Sequence, residues 1–156
     1  MNNNMQKNRV RYISSAAFLT IAILVAINIQ DGEAGATIAQ IRESMKPIGD
    51  ACIPETGVCE EMLAKTQQGE FPADPELQCY YACVFRMMEV MNGNDQIDTD
   101  MVMDKIDAML PEDLAQRVKE NSKICFSKIT SNDLCVMSWE FTKCFYELDS
   151  SLFFFP

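Results

Sequence analysis

The sequence contains seven cysteines, which could form disulfide bonds, bind a metal or act in redox chemistry. They are Cys52, Cys59, Cys79, Cys83, Cys125, Cys135 and Cys144. No two of them form the CxxC pair that is typical of redox and zinc sites, so they predict a framework of disulfide bonds. Because the number is odd, one thiol is left over when the other six pair.

Histidine is absent from the chain. Its absence excludes Ser-His-Asp and Cys-His catalysis, histidine-dependent zinc sites and secreted phospholipases built on a His-Asp pair. No other pairing of a nucleophile with a base stands out. We therefore expect a protein that is not an enzyme and that uses neither a cofactor nor a metal.

The first 36 residues follow the order of a secretory signal peptide. A basic segment (residues 7–11) precedes an apolar run (16–29), and small residues (34–36) lie at the expected cleavage site. The apolar run is short for a helix that crosses a bilayer, which needs about 20 residues, although an uncleaved anchor is the alternative. Cleavage after Ala36 predicts a secreted, extracellular domain over 37–156, with no membrane segment left.

The chain is strongly acidic, with 13 basic and 23 acidic residues and a net charge of −10. Such a surface repels nucleic acid and anionic membranes. We therefore expect neither nucleic acid nor a membrane as a partner of the mature protein.

Apolar residues recur at helical spacing along the predicted domain, and no alternating strand pattern is sustained. The sequence thus predicts an all-α fold of about six helices. The predicted helices begin near Thr37, Pro54, Pro75, Asp98, Pro111 and Asp133. Pro47 is expected to interrupt or kink the first of them.

The segment 79–91 predicts a buried central helix, because it is apolar on nearly all sides. One face is expected to carry Tyr80, Val84, Met87, Met88 and Met91. The residues 92–95 predict a turn that closes this helix. Their acidic content does not fit the spacing of an EF-hand calcium site.

Helix geometry excludes some of the cysteine pairings. Cys79 and Cys83 lie one turn apart on the central helix, and a bond between them would strain it. Cys135 and Cys144 lie roughly 13 Å apart on the last helix. With Cys59 set aside, six cysteines allow 15 pairings, and the two exclusions leave ten, among which spacing does not choose.

The intervals between these six cysteines are 26, 3, 41, 9 and 8 residues. This pattern resembles that of the six-cysteine insect odorant-binding proteins, the general and pheromone-binding family, in which the intervals of three and eight are the most fixed. The motifs CYYAC, MNGNDQID and WEFTKCFYE support the resemblance, which covers residues 37–156.

The pairing that the resemblance implies is interlocked. It consists of Cys52–Cys83, Cys79–Cys135 and Cys125–Cys144. Cys59 departs from the family pattern, and we expect a free, buried thiol there. The alternatives are a bond between two chains or exchange with Cys52.

The resemblance implies a carrier whose helices surround an apolar cavity stapled by three disulfides. Its partners would be a small hydrophobic ligand, such as an odorant or pheromone, and an odorant receptor toward which the ligand is transported through aqueous fluid. A monomer or a weak homodimer is expected. The alternatives are a non-olfactory carrier or scavenger on the same fold and a protein–protein interaction module.

Candidate wall residues come from the central, fourth, fifth and last helices and from the C-terminal tail. They are Val84, Met87, Met88, Met91, Ile106, Met109, Leu114, Val118, Phe145, Leu152 and Phe154. For each of them, ordinary core is the alternative. Methionine suits a cavity that accepts several shapes.

The tail, residues 150–156, contains three consecutive phenylalanines. We expect its apolar part, residues 152–155, to fold back over the cavity, the alternative being a frayed terminus. Since histidine is absent, acid-triggered release of a ligand would require carboxylates of raised pKa, such as Glu147 or Asp149.

Overall fold

Six α-helices form the part of the chain that the structure, a computed structural model, describes: residues 36–156. The predicted signal peptide lies, except for Ala36, outside the described residues. The helices are α1 (Ile38–Thr56), α2 (Glu60–Thr66), α3 (Pro75–Met87), α4 (Thr99–Met109), α5 (Glu112–Lys128) and α6 (Leu134–Leu148). A 3-10 turn, Ser150–Leu152, follows α6. The all-α prediction with about six helices is confirmed.

Short polar side chains begin four of the helices. Thr37 and Gln40 form a capping box at α1. Carboxylates of Asp74, Asp98 and Asp133 accept backbone N–H groups at the starts of α3, α4 and α6, at 2.9–3.0 Å. These bonds satisfy donors that a helix leaves unpaired at its first turn. The predicted starts near Thr37, Asp98 and Asp133 are therefore confirmed.

The first two helices differ from the prediction. α1 continues through Pro47 and Pro54 and ends where Gly57 adopts a left-handed φ of 78°. The packing of its buried residues, Met45 and Cys52 among them, outweighs the hydrogen bonds that the two prolines remove. The helix predicted to start at Pro54 begins instead at Glu60.

The central helix is shorter than predicted. α3 ends at Met87, and Glu89 turns the chain with a φ of 58°. Met91 then forms an isolated antiparallel bridge with Ile97. The Asn92 side chain closes the intervening turn by accepting two backbone N–H groups, at 2.9 and 3.2 Å. The predicted turn is present, but Met91 does not lie on the helix.

α3 lies at the centre of the fold. Its residues Tyr80, Tyr81, Val84 and Phe85 are at most 1% exposed. It packs most extensively against α6 and next against α1. None of the helices within residues 36–156 combines the length and apolarity needed to cross a bilayer.

Three disulfides join the helices around α3. Cys52–Cys83 links α1 to α3, Cys79–Cys135 links α3 to α6, and Cys125–Cys144 links α5 to α6. Their Cα–Cα distances are 5.8, 4.3 and 5.6 Å respectively. These are the pairs that the resemblance implies. α3 thus carries two covalent tethers, one to the first helix and one to the last.

Cys59 forms no disulfide with another described residue, and it is exposed. It stands at the residue before α2, where its backbone is extended and its side chain makes no capping hydrogen bond. The expectation of a buried thiol is therefore corrected: the solvent-facing start of a short helix leaves this side chain in water.

Candidate ligand-binding site

An apolar cavity lies between the C-terminal tail and the helices α1, α3, α4, α5 and α6. Its lining residues are Ile41, Phe85, Met88, Val90, Val102, Lys105, Ile106, Met109, Leu110, Ser122, Phe141, Phe145, Phe154 and Phe155. The cavity volume is about 30 Å³, room for about two water molecules. A larger ligand must therefore displace side chains of the wall.

α4 presents one face to this cavity. Val102, Lys105, Ile106 and Met109 recur at i, i+3, i+4 and i+7, the spacing of a single helical face. Val102 and Ile106 are 6% and 7% exposed, whereas Met109 is 39% exposed. The exposed side chain of Met109 therefore marks a place where the cavity wall reaches solvent.

Aromatic rings form the opposite wall. Phe141 and Phe145, four residues apart on α6, have ring centroids 6.0 Å apart. Phe85 of α3 contacts Phe141 at 5.4 Å, and Phe155 of the tail contacts Phe85 at 5.8 Å and Phe145 at 6.0 Å. Three of these four pairs are stacked or edge-to-face, the arrangements that aromatic pairs prefer. Two helices and the tail therefore share one cluster.

The C-terminal tail is part of the protein interior. Leu152, Phe153, Phe154 and Phe155 are between 1% and 6% exposed, and the last two line the cavity. The alternative of a frayed terminus is therefore wrong. Because deletion of the tail would remove part of the wall, cavity and tail form one structural unit.

Three side chains, two from helices and one from the residue after α2, hold the tail by its backbone. Arg42 of α1 donates to the Phe153 carbonyl oxygen. Gln67, which follows α2, donates to the carbonyl of Phe155 at 3.1 Å. The Tyr80 hydroxyl of α3 donates a hydrogen bond to the backbone oxygen of Pro156 at 3.2 Å. Burial raises the pKa of Tyr80, so this phenol stays protonated and keeps its donor.

Gly49 of α1 leaves space for the end of the tail. A Cβ at this position would lie 2.7 Å from the Pro156 Cβ and 2.6 Å from the Tyr80 hydroxyl oxygen. Both distances are shorter than van der Waals contact allows. A residue without a side chain is therefore required where the tail crosses α1.

The structure brings five of the predicted wall residues to the cavity. They are Met88, Ile106, Met109, Phe145 and Phe154. Three others are buried core away from the cavity wall: Val84, Val118 and Leu152. Leu114 and Met91 are half-buried and pack against the core.

Met87 is 49% exposed, and its predicted place on the wall is corrected. It lies in the last turn of α3, where the side chain meets solvent. Its neighbour Met88, one residue further along, lines the cavity instead.

Most of the aromatic wall was not predicted, although the sequence contains a signal for part of it. Phe141 lies one helical turn before Phe145 and shares its face, so the choice of Phe145 also indicated Phe141. Phe85 was not among the candidate wall residues. Phe155 belonged to the tail segment that we expected to fold back.

Two of the described lining residues carry polar side-chain groups, Lys105 and Ser122. Ser122 is 1% exposed. The Lys105 side chain is 33% exposed and its Nζ lies 3.7 Å from a carboxylate oxygen of Glu89. The residues 36–156 contain no group of histidine, cysteine or acidic side chains that could hold a metal ion.

The carboxylate of Asp149, beside the tail, is not the acid trigger considered from the sequence. Hydrogen bonds from Ser151, together with the guanidinium of Arg117 at 2.8 Å, hold the pKa of Asp149 below its usual range. A lowered pKa keeps the group ionised through mildly acidic pH. Glu147 is exposed.

Comparison with known proteins adds a family match. The sequence model of the PBP/GOBP family matches residues 34–148. General odorant-binding protein 19a of Drosophila melanogaster is 26% identical over 113 residues, covering 69% of this chain and 76% of the relative. Odorant-binding protein 22 of Aedes aegypti is 23% identical over 135 residues, covering 86% and 92% of the two chains.

Solved structures show the same fold. Odorant binding protein 5 of Apis mellifera superposes with a TM-score of 0.68 at 25% identity, covering 78% of this chain and 98% of that one. Odorant Binding Protein 7 from Anopheles gambiae, solved with four disulfide bridges in complex with an azo compound, has a TM-score of 0.60 at 26% identity. That match covers 72% of this chain and 88% of the other.

Proposed function

The chain belongs to the PBP/GOBP family of insect odorant-binding proteins, and from this premise we propose that it carries a small hydrophobic molecule in its apolar cavity. The ligand would be an odorant or a pheromone, taken up and moved through aqueous fluid toward a receptor. The observation that carries the proposal is the apolar wall shared by α3, α4, α6 and the buried tail.

The energetics are adequate for a carrier. Burial of apolar surface contributes about 25 cal/mol per Å², so a ligand that buries about 300 Å² gains roughly 7–8 kcal/mol. Micromolar binding needs about −8 kcal/mol. The cost of moving wall side chains reduces this gain, so we expect an affinity weaker than micromolar, which suits a carrier that must also release its ligand.

Secretion is part of the proposal. The basic, apolar and small-residue segments of residues 1–36 have the order of a signal peptide. The family match begins at residue 34, next to the proposed cleavage site, which supports a mature protein that starts at Thr37.

A tryptophan at the cavity opening is expected to block ligand entry. In the variant Met109→Trp the larger side chain occupies the opening, and we expect at least a tenfold loss of affinity for a neutral fluorescent probe such as N-phenyl-1-naphthylamine. A tenfold change corresponds to about 1.4 kcal/mol. Fluorescence titration at neutral pH measures it.

Met101 provides the matched control. It lies on the same helix and is 40% exposed, against 39% for Met109, but it does not line the cavity. Met101→Trp should leave probe affinity unchanged. Equal effects of the two substitutions, or none from either, would contradict binding in this cavity.

A further inference from the structure

Lys105 is the one charged residue among the described residues that line the cavity. It shares a face of α4 with the lining residues Val102, Ile106 and Met109. The acidic residues of the same helix are exposed and do not line the cavity. A charged side chain on an apolar helix face is costly unless its head stays hydrated, so the location of the ammonium group decides what it does.

The ammonium group lies at the opening of the cavity. The Lys105 side chain is 33% exposed, and its neighbour Met109 is also substantially exposed, at 39%. Ile106, deeper on the same face, is 7% exposed. Lysine commonly lays its hydrocarbon stem along apolar surface and keeps its charge in water. The cavity therefore has an apolar interior and a hydrated cation at its entrance.

The present partner of this cation is replaceable. Glu89 lies 3.7 Å from Nζ, and its side chain is 84% exposed. An ion pair of this length and exposure contributes little to stability. Glu89 also stands between Met88 and Val90, which both line the cavity, so the pair Lys105–Glu89 joins α4 to the turn after α3 at the entrance.

We infer that Lys105 binds the anionic head of the ligand, which is a monocarboxylate whose hydrocarbon body lies in the cavity. The inference rests on the proposed function and names the ligand class for the same site. The ligand carboxylate replaces Glu89 as the partner of Nζ, while the hydrocarbon contacts the apolar face of α4 and the phenylalanine wall.

The location of the charge makes this arrangement favourable. A carboxylate at the entrance stays partly hydrated, so it avoids most of the desolvation penalty of a buried ion pair. The hydrocarbon body supplies most of the affinity, and the head group sets orientation and selectivity. A neutral ligand of the same length gains the first contribution but not the second.

Three ligands that share a ten-carbon chain test the inference: decanoate, 1-decanol and methyl decanoate. Each competes with the neutral naphthylamine probe at pH 7.5, where decanoate is ionised. The wild-type protein is expected to bind decanoate about tenfold more tightly than methyl decanoate, the effect of one charge-assisted hydrogen bond. The variant Lys105→Met, which keeps an unbranched apolar stem, should lose that tenfold preference and retain its affinity for the two neutral ligands.

Two further variants sharpen the test. Glu89→Gln removes the competing carboxylate and should raise decanoate affinity a few-fold. Lys143→Met removes a lysine of α6 whose side chain is 40% exposed and which does not line the cavity. It should change none of the three affinities.

The outcomes separate the inference from the proposed function. If the wild type binds decanol and methyl decanoate as tightly as decanoate, or if Lys105→Met weakens all three ligands equally, the carboxylate assignment is overturned and the carrier function stands. If the wild type binds neither the probe nor any of the three ligands, both are overturned.

Discussion

Replacing Phe155 with alanine is expected to lower the free energy of unfolding by about 3–5 kcal/mol, the usual cost of truncating a buried phenylalanine. The residue is 2% exposed, although it lies next to the end of the chain. Six aromatic rings have their centroids within 6.3 Å of the Phe155 ring centroid: Tyr81, Phe85, Phe141, Phe145, Phe153 and Phe154. Urea denaturation followed by circular dichroism measures the loss.

The same substitution should also enlarge the cavity, because Phe155 lines it. We expect Phe155→Ala to bind the naphthylamine probe more tightly than wild type does. Saturating probe should then restore part of the lost stability, since a ligand stabilises the state that binds it.

Phe153→Ala is the matched control for both effects. Phe153 is 1% exposed and belongs to the same tail, but it packs against Phe71 and Tyr146 and does not line the cavity. It should lose similar stability and gain no probe affinity. An unchanged urea midpoint for Phe155→Ala would contradict a stabilising role of the tail. Equal increases of probe affinity in both variants would contradict binding of the probe in this cavity.

Removal of the disulfide Cys79–Cys135 is expected to have an effect of similar size. The bond closes the longest loop of the three, with a sequence separation of 56, and loop entropy assigns it about 4 kcal/mol. Cys125–Cys144, with a separation of 19, should contribute about 3 kcal/mol on the same basis. Replacing both cysteines of a pair by alanine avoids leaving an unpaired thiol.

Unfolding of the two double variants and of Cys59→Ser, measured in urea, checks this ranking. Cys59 is exposed and free, so its replacement should change the free energy of unfolding by no more than about 0.5 kcal/mol. A smaller loss for Cys79–Cys135 than for Cys125–Cys144 would contradict the loop-entropy argument. A large loss for Cys59→Ser would show a role for this thiol that its exposure does not suggest.

Much of the scaffold could be predicted from the sequence, because it depends on local signals. Helical periodicity is a property of neighbouring positions, and helices begin near Thr37, Asp98 and Asp133 as expected. The cysteine intervals were specific enough to indicate a family, whereas helix geometry alone left ten disulfide pairings open.

The helix ends that were wrong depend on tertiary contacts. α1 passes through Pro54, where the second helix was predicted to start, because burial against the rest of the protein outweighs a local preference. α3 ends at Met87 because a glutamate, Glu89, adopts a backbone conformation that is usually left to glycine or asparagine. No neighbouring residue signals that choice.

The cavity wall was harder to predict than the fold. Successive side chains of a helix point about 100° apart, so an error of one position exchanges a wall residue for a surface one, as with Met88 and Met87. Lys105 shows a second limit. A charged residue was not considered for an apolar wall, although its spacing from Ile106 and Met109 placed it on the same face.

The measurement that tests the carrier account most directly is methyl NMR of protein labelled with ¹³C at the methionine methyl groups, titrated with decanoate. Met88 and Met109 line the cavity, whereas Met87 and Met101 are exposed and lie outside it. Binding in this cavity predicts intermolecular nuclear Overhauser effects from the ligand chain to Met88 and Met109 and none to Met87 or Met101. Contacts confined to Met87 and Met101, or no contacts at saturating ligand, would contradict it.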